Sequence, residues 1–433
     1  MNTNKPPQAS LHEVVSCQSD YDPAALPVQQ AQQIIQQFIT PIHAIEKLAI
    51  RQALGRTLAA DIISGISVPA HDNSAMDGYA FRGCDLIPDT AIELNIIGTA
   101  FAGCTFDGQV NQSECVRIMT GGVMPLHCDT VIPQEFTLNA NEFTVTVPAG
   151  KIKPGDNRRL KGEDLMKGRT ALLQGKILRP ADLGLLASLG IAEVPVQRRL
   201  RVAFFSTGDE LRSLGETLDQ GCVYDSNRYT LYGMLQRLGC DVLDMGVIKD
   251  EPAALKDAFR NACENADAII TSGGVSAGAA DYTKQCMAEL GDVAFWTIGM
   301  RPGRPMAFGK IHSHGKSAYL FGLPGNPVAV MVTFYVFVRD ALFHMMGATC
   351  PALPLVRATS KTMIRKRPGR TEYQRGILSI GNDGHLQVAI TGSQGSGILR
   401  SMSEANCMVV LAHEQANVAA GDHVDVMLFE GLI

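Results

Sequence analysis

The run Asp267-Ala268-Ile269-Ile270-Thr271-Ser272-Gly273-Gly274-Val275-Ser276-Ala277-Gly278-Ala279-Ala280-Asp281-Tyr282 constrains the fold more than any other stretch of this chain. It starts as a short apolar strand and passes into a loop of small residues that ends in a carboxylate. A strand followed by clustered glycines is how a parallel sheet turns toward a helix, and glycine lets backbone N–H groups approach a ligand closely. Such a loop suits a phosphate. Asp281 adds a hard oxygen ligand, so Mg²⁺ is the cation expected between carboxylate and phosphate. A lone Gly-Gly more often serves backbone geometry alone, so the weight falls on what surrounds it.

From about residue 200 to 347 the pattern alternates apolar strand, glycine-containing loop and helix. Strands are expected at 202–205, 241–245, 268–270 and 319–321, with helices at 227–238 and 252–265. That is a doubly wound α/β domain with a mainly parallel sheet, whose ligand site lies beyond the carboxyl ends of the strands. Three loops reach that edge. Ser206-Thr207-Gly208-Asp209-Glu210-Leu211 places two acids just past a buried strand. The glycine loop presents Ser272, Gly273, Gly274, Ser276, Gly278 and Asp281. In Leu323-Pro324-Gly325-Asn326-Pro327-Val328, Asn326 is placed to cap a helix that begins at Pro327, leaving N–H groups for an anion. Asp250 follows the 241–246 strand region as a further oxygen ligand.

Between two of these loops lies Met300-Arg301-Pro302-Gly303-Arg304-Pro305-Met306. Two guanidinium groups on a stiff Pro-Gly loop offer forked donors to a tetrahedral oxyanion or a phosphate. Taken singly, each of these segments reads equally well as a plain loop with solvated charges; together they point to a phosphorylated ligand bound through Mg²⁺. Residues 309–317 imitate a phosphate-binding Gly-x-x-x-x-Gly-Lys-Ser, but Lys310 stands where the first glycine belongs. His312 and His314 in the same turn read as surface residues.

The rest of the chain divides by texture. Residues 1–24 read as a polar, disordered tail with no secretory signal. Residues 28–58 carry apolar positions at helical spacing interrupted by Pro41, which predicts two helices. With 165–198, where a helix is signalled from Arg179 to Gly190, residues 25–63 form a helical linking domain. Residues 64–164 are a mostly β module with strands at 92–97, 115–118, 130–132 and 143–147. The α/β domain takes 199–348 and a C-terminal β-barrel or sandwich 349–433. In that last part Gly381-Asn382-Asp383-Gly384 predicts a hairpin. The apolar run 328–338 is too short to span a bilayer and reads as a buried helix or strand.

At 433 residues, several domains are required. A net charge of −5 supplies no basic field for a nucleic-acid backbone. Eleven cysteines without a Cys-x-x-Cys pair read as reduced thiols of a cytoplasmic protein, with neither a disulfide frame nor a zinc site. No membrane partner is expected.

Seven ordered motifs give a family resemblance: Ser74-Ala75-Met76-Asp77-Gly78-Tyr79-Ala80, Arg117-Ile118-Met119-Thr120-Gly121, Gly162-Glu163-Asp164, the Glu210 loop, the glycine loop through Asp281-Tyr282, Pro302-Gly303-x-Pro305, and the Pro324–Val328 motif. The chain resembles the molybdopterin molybdenumtransferases of the MoeA type, a family that includes the C-terminal domain of gephyrin. The resemblance implies a four-domain subunit and an elongated homodimer, with a cleft between the α/β domain of one copy and the β module of the other. It implies conversion of adenylylated molybdopterin and molybdate to molybdenum cofactor and AMP, with Mg²⁺. Asp77, Thr120 and Asp164 would line the wall from the partner copy. Glu210, Asp250 and Asp281 would lie on the nucleotide and metal side, and Pro302 and Pro305 would shape the molybdate loop. Arg301 and Arg304 stand where the family usually has lysine. Two other readings belong to the same resemblance: the adenylyltransferase that makes the activated pterin, and a gephyrin-like scaffold without catalysis. The adenylyltransferase of the same pathway is also a candidate partner.

Overall fold

The structure is a computed structural model that describes residues 10–16, 21–275, 282–349 and 353–429. Its centre is a six-stranded sheet in the order Asp241–Ile248, Arg201–Thr207, Ala268–Ser272, Lys316–Leu323, Pro305–Ser313, Gly291–Thr297. The first four strands run parallel; Pro305–Ser313 pairs antiparallel with the fourth, and Gly291–Thr297 antiparallel with Pro305–Ser313. The expected parallel strands are all present. The two antiparallel ones, 291–297 and 305–313, were not anticipated, because Gly291, Gly309 and Lys310 break their apolar pattern.

Alternation along the central strands sorts side chains to two cores. Val202, Phe204 and Ile270 face one side with Leu231, Met234 and Leu235 of helix Ser226–Arg237. Ala203, Phe205 and Ile269 face the other with Leu255, Phe259 and Ala262 of helix Pro252–Asn265. Phe205 and Phe259 meet edge to face at 5.2 Å between ring centroids. Helix Val28–Phe38 closes the first side, with Phe38 set edge-on to Phe308 and Tyr319.

The second helix expected within residues 28–58 is instead a strand, Ile45–Ala49, paired antiparallel with Glu193–Gln197. Ile45 and Leu48 are spaced as on a helix, and fall on opposite faces of the strand. Register with a partner nearly 150 residues away decided the matter, and buried Arg56 fixes the pairing by donating to Glu46 and to the Gln197 carbonyl, each at 2.8 Å. The signalled helix follows as Pro180–Ser188.

The β module is a five-stranded sheet in the order Thr130–Pro133, Gly78–Phe81, Glu114–Ile118, Ile92–Ala100, Thr144–Val147. The C-terminal region closes on itself: Thr371–Ile380, Leu386–Ile390, Val356–Ser360, His423–Leu428 and Cys407–Leu411 pair in a ring that returns to the first strand. This is a five-stranded barrel, and its expected hairpin joins Ile380 to Leu386.

The apolar run 328–338 belongs to one continuous helix, Pro327–Met345, of which 83% of the most apolar window is buried inside the molecule. It is a core helix, with Val328, Val330, Val332 and Phe334 fully enclosed.

Candidate active site

Register brings the expected loops together. Ser206 pairs with Ser272, Ser272 with Leu323, and Thr207 with Ile248, so four parallel strands end level. Their loops line one cleft of about 580 Å³. Glu210, Asp250, Ser272, Gly273 and Gly274 line it, together with Arg301, Pro302, Arg304 and Pro305 and with Pro324, Gly325 and Asn326. Ser276, Gly278 and Asp281 lie outside the described residues.

The glycine loop needs its glycines. Gly273 and Gly274 have φ of 97° and 67°. A Cβ at Gly273 would sit 2.5 Å from the Thr207 carbonyl oxygen, and one at Gly274 2.6 Å from the Thr283 side chain. The Gly273 amide donates to the Leu323 carbonyl at 3.0 Å, tying this loop to the next strand end.

Two carboxylates project from exposed or half-buried positions. The Glu210 carboxylate folds back over Gly208, where an added Cβ would lie 2.6 Å from Oε2. Asp250 accepts from Thr283 Oγ1 at 3.4 Å. Among the described residues no three acids, histidines or cysteines cluster as a metal cage. Mg²⁺ needs no such cage, since one or two carboxylates together with ligand phosphates complete its shell. Glu210 and Asp250 fit that role. The cleft floor fits a polar ligand as well, because the buried Thr207 Oγ1 and Asn227 Oδ1 have no hydrogen-bond partner.

The structure adds residues that motif reading missed. Asn227, in the first turn of helix Ser226–Arg237, donates from Nδ2 to Ser272 Oγ and to the Gly325 carbonyl, both at 2.7 Å. One carboxamide thus fixes the spacing of two cleft loops. Arg370, Gln394 and Ser396 enter from the barrel. The sequence signal for Arg370 was the basic run Arg365-Lys366-Arg367 just before a strand; Gln394 and Ser396 had none.

One expectation needs correction. Asn326 occupies the cap position before Pro327, but its side chain makes no capping bond. The Val328 amide is also not open to an anion, because it donates to the Ser396 carbonyl at 3.0 Å. The barrel covers part of the helix start that was expected to receive a ligand.

Asp77, Thr120 and Asp164 do not line this cleft. They belong to the β module, all exposed. Thr120 donates from both its amide and its Oγ1 to Asp77 Oδ1, each at 2.7 Å. Those two bonds, the hydroxyl's first, hold the Asp77 carboxyl below its ordinary range, with the Arg117 charge adding to them.

Comparisons with known proteins agree with this geometry. Residues 26–190 match the family model for the MoeA N-terminal region (domain I and II), 203–344 a probable molybdopterin binding domain, and 357–429 the MoeA C-terminal region (domain IV). A molybdopterin molybdenumtransferase from Haemophilus influenzae is 42% identical over 90% of this chain and 95% of its own. The chain belongs to the MoeA family. A relative of the same name from Nostoc sp. is 36% identical over 87% of this chain and 86% of its own. The crystal structure of a molybdopterin biosynthesis MoeA protein from Pyrococcus horikoshii superposes with a TM-score of 0.80 at 28% identity, covering 94% of this chain and all of that one.

Proposed function

We propose that this MoeA-family chain is a molybdopterin molybdenumtransferase, which takes adenylylated molybdopterin and molybdate to molybdenum cofactor and AMP. One observation carries the reading: carboxylates, a glycine loop and paired arginines, from segments far apart in sequence, meet in a single cleft. The relatives that align along nine-tenths of the chain carry the transferase name, which favours this step over the preceding adenylylation and over a scaffold.

Each group has a role its chemistry suits. Glu210 and Asp250 would hold Mg²⁺, joined by Asp281 on the family resemblance; the ion, when bound, neutralises charge on the linking phosphates. The glycine loop lets the backbone approach those phosphates. Arg301 and Arg304 present forked donors to the tetrahedral oxyanion, where lysines would offer point charges. Asn227 keeps the two phosphate-side loops at one separation. Catalysis is then placement and electrostatics, without a covalent protein nucleophile.

The reading extends to a homodimer in which a second copy brings Asp77, Thr120 and Asp164 to the cleft. Its support is the number of exposed apolar side chains in the segment that follows Glu210: Leu214, Leu218, Val223, Tyr224, Tyr229 and Tyr232. It also places the protein in the cytoplasm, in keeping with nine described cysteines that are all free thiols. An assay of AMP release from adenylylated molybdopterin, with and without molybdate, tests the function. Release should depend on molybdate and disappear in Glu210→Ala; unchanged turnover in that variant would remove Glu210 from the mechanism.

A further inference from the structure

Strand Gly291–Thr297 is the last of the central sheet, and the chain's own N-terminal segment lies along it. Residues 1–24 read as a disordered tail, but the described parts of that stretch are packed. Leu11–Ser16 is a helix whose first amide donates to the Asp292 carboxylate. Leu11 is buried in the largest core, with Val14, Val15 and Tyr21 packed against it. Such anchors are too sparse in a polar stretch to show a period, so no pattern announces them.

Farther along, Tyr21 Oη accepts from Trp296 Nε1 at 3.0 Å. The Thr297 amide donates to the Pro23 carbonyl at 2.7 Å, the Leu26 amide to the Thr297 carbonyl at 3.0 Å, and the Gly299 amide to the Leu26 carbonyl at 2.8 Å. Leu26 is bridged in parallel to Ile298, and both side chains are fully buried. Covering a sheet edge protects it from stray pairing. Here the position of the cover matters more.

Those backbone bonds fall at the base of the loop that carries Arg301 and Arg304. The loop is closed by the Ile298 amide, which donates to the Arg304 carbonyl at 2.6 Å. The barrel holds its other side, the Thr371 amide donating to the Gly299 carbonyl at 2.9 Å. Gly299 therefore gives its amide to the N-terminal segment and its carbonyl to the barrel. Both arginines line the cleft. Two guanidinium forks grip one small anion well only when the backbone between them keeps a fixed path, since a loose base adds an ordering cost to each contact.

Resting on the function proposed above, we infer that residues 21–26 are a positioning strap for the arginine loop, with Leu26 as its anchor and Tyr21 as its latch. Neither residue lines the cleft. Their effect on molybdate passes through Thr297 and Gly299.

Trp296 is the chain's single tryptophan and is 2% exposed, so its emission reports whether the strap is seated. The full-length variants are Leu26→Gly and Tyr21→Phe, with Leu26→Ile as the conservative replacement. Phe259→Leu, a core change on the opposite face of the sheet, controls for lost stability alone. Molybdate affinity is measured by equilibrium dialysis with AMP present, and molybdate KM and kcat by AMP release. Leu26→Gly should shift the Trp296 emission to the red and weaken molybdate about tenfold in both Kd and KM, with kcat little changed. Tyr21→Phe should weaken it about threefold. Leu26→Ile should bind molybdate as the wild type does, and Phe259→Leu should lower the urea midpoint without changing molybdate affinity. Unchanged molybdate affinity in Leu26→Gly and Tyr21→Phe overturns the inference. An emission that stays in place in Leu26→Gly does the same, because Leu26 would then not seat the strap. A loss of the same factor in Phe259→Leu also overturns it, reducing the strap to general stability. Absence of molybdate-dependent AMP release from the wild type would sink the proposed function instead, and the dialysis reads the strap without turnover.

Discussion

Thr120 spends both of its donors on one oxygen of Asp77, and the consequence is measurable. Because the folded-state pKa lies below the ordinary value, this pair contributes stability above about pH 4 and loses it as pH falls through the lowered value. Thr120→Val keeps the amide bond and removes the hydroxyl bond, so the Asp77 carboxyl should titrate closer to ordinary aspartate when followed by carbon-detected NMR. At Gly274 the argument is steric. Alanine there must adopt φ of 67° with its Cβ 2.6 Å from Thr283, and the variant should lose about 2–3 kcal/mol in urea unfolding. The glycine loop was visible in the sequence because a strand end followed by glycines is a local signal, whereas Asp77 and Thr120 were named only by the family resemblance. Asn227 was not visible, since an asparagine in a helix's first turn looks the same whether it faces water or, as here, braces two loops.

Elements were legible where one period dominated. The strands and helices of the α/β domain have a single clear pattern, and they formed close to where they were expected. Residues 45–49 did not, because Ile45 and Leu48 stand three apart, a helical spacing, and the pairing with Glu193–Gln197 overrides it. The run at 328–338 was ambiguous because an almost unbroken apolar stretch shows neither period, until its length emerged: helix Pro327–Met345 is 19 residues long and threads the largest core. Phe334 is fully buried within it. Phe334→Ala should cost about 3–5 kcal/mol, read as a lower denaturant midpoint with an unchanged slope.

For the whole molecule, the separation of Asp77, Thr120 and Asp164 from the cleft leads to a complementation experiment. If a second copy supplies them, Asp77→Asn and Glu210→Gln are each inactive alone. Mixed under exchange, their hybrid dimers should regain about a quarter of wild-type AMP release, since half the dimers are hybrids with one intact site of two. No recovery despite verified hybrid formation would place both residues in one subunit's site. The motifs announced that these residues matter, but no sequence pattern states which copy of a chain a residue serves.

The short strand Met300–Arg301 runs alongside Thr371–Glu372 in the barrel's sheet, and Val328 reaches Ser396 across the same seam. The barrel is therefore stitched to the very loop that carries Arg301 and Arg304. A chimaera that exchanged only residues 353–429 between two relatives would graft one half of a β-ladder onto a foreign counterpart. The workable crossover lies upstream of Met300, so that the arginine loop and the barrel are inherited as one part.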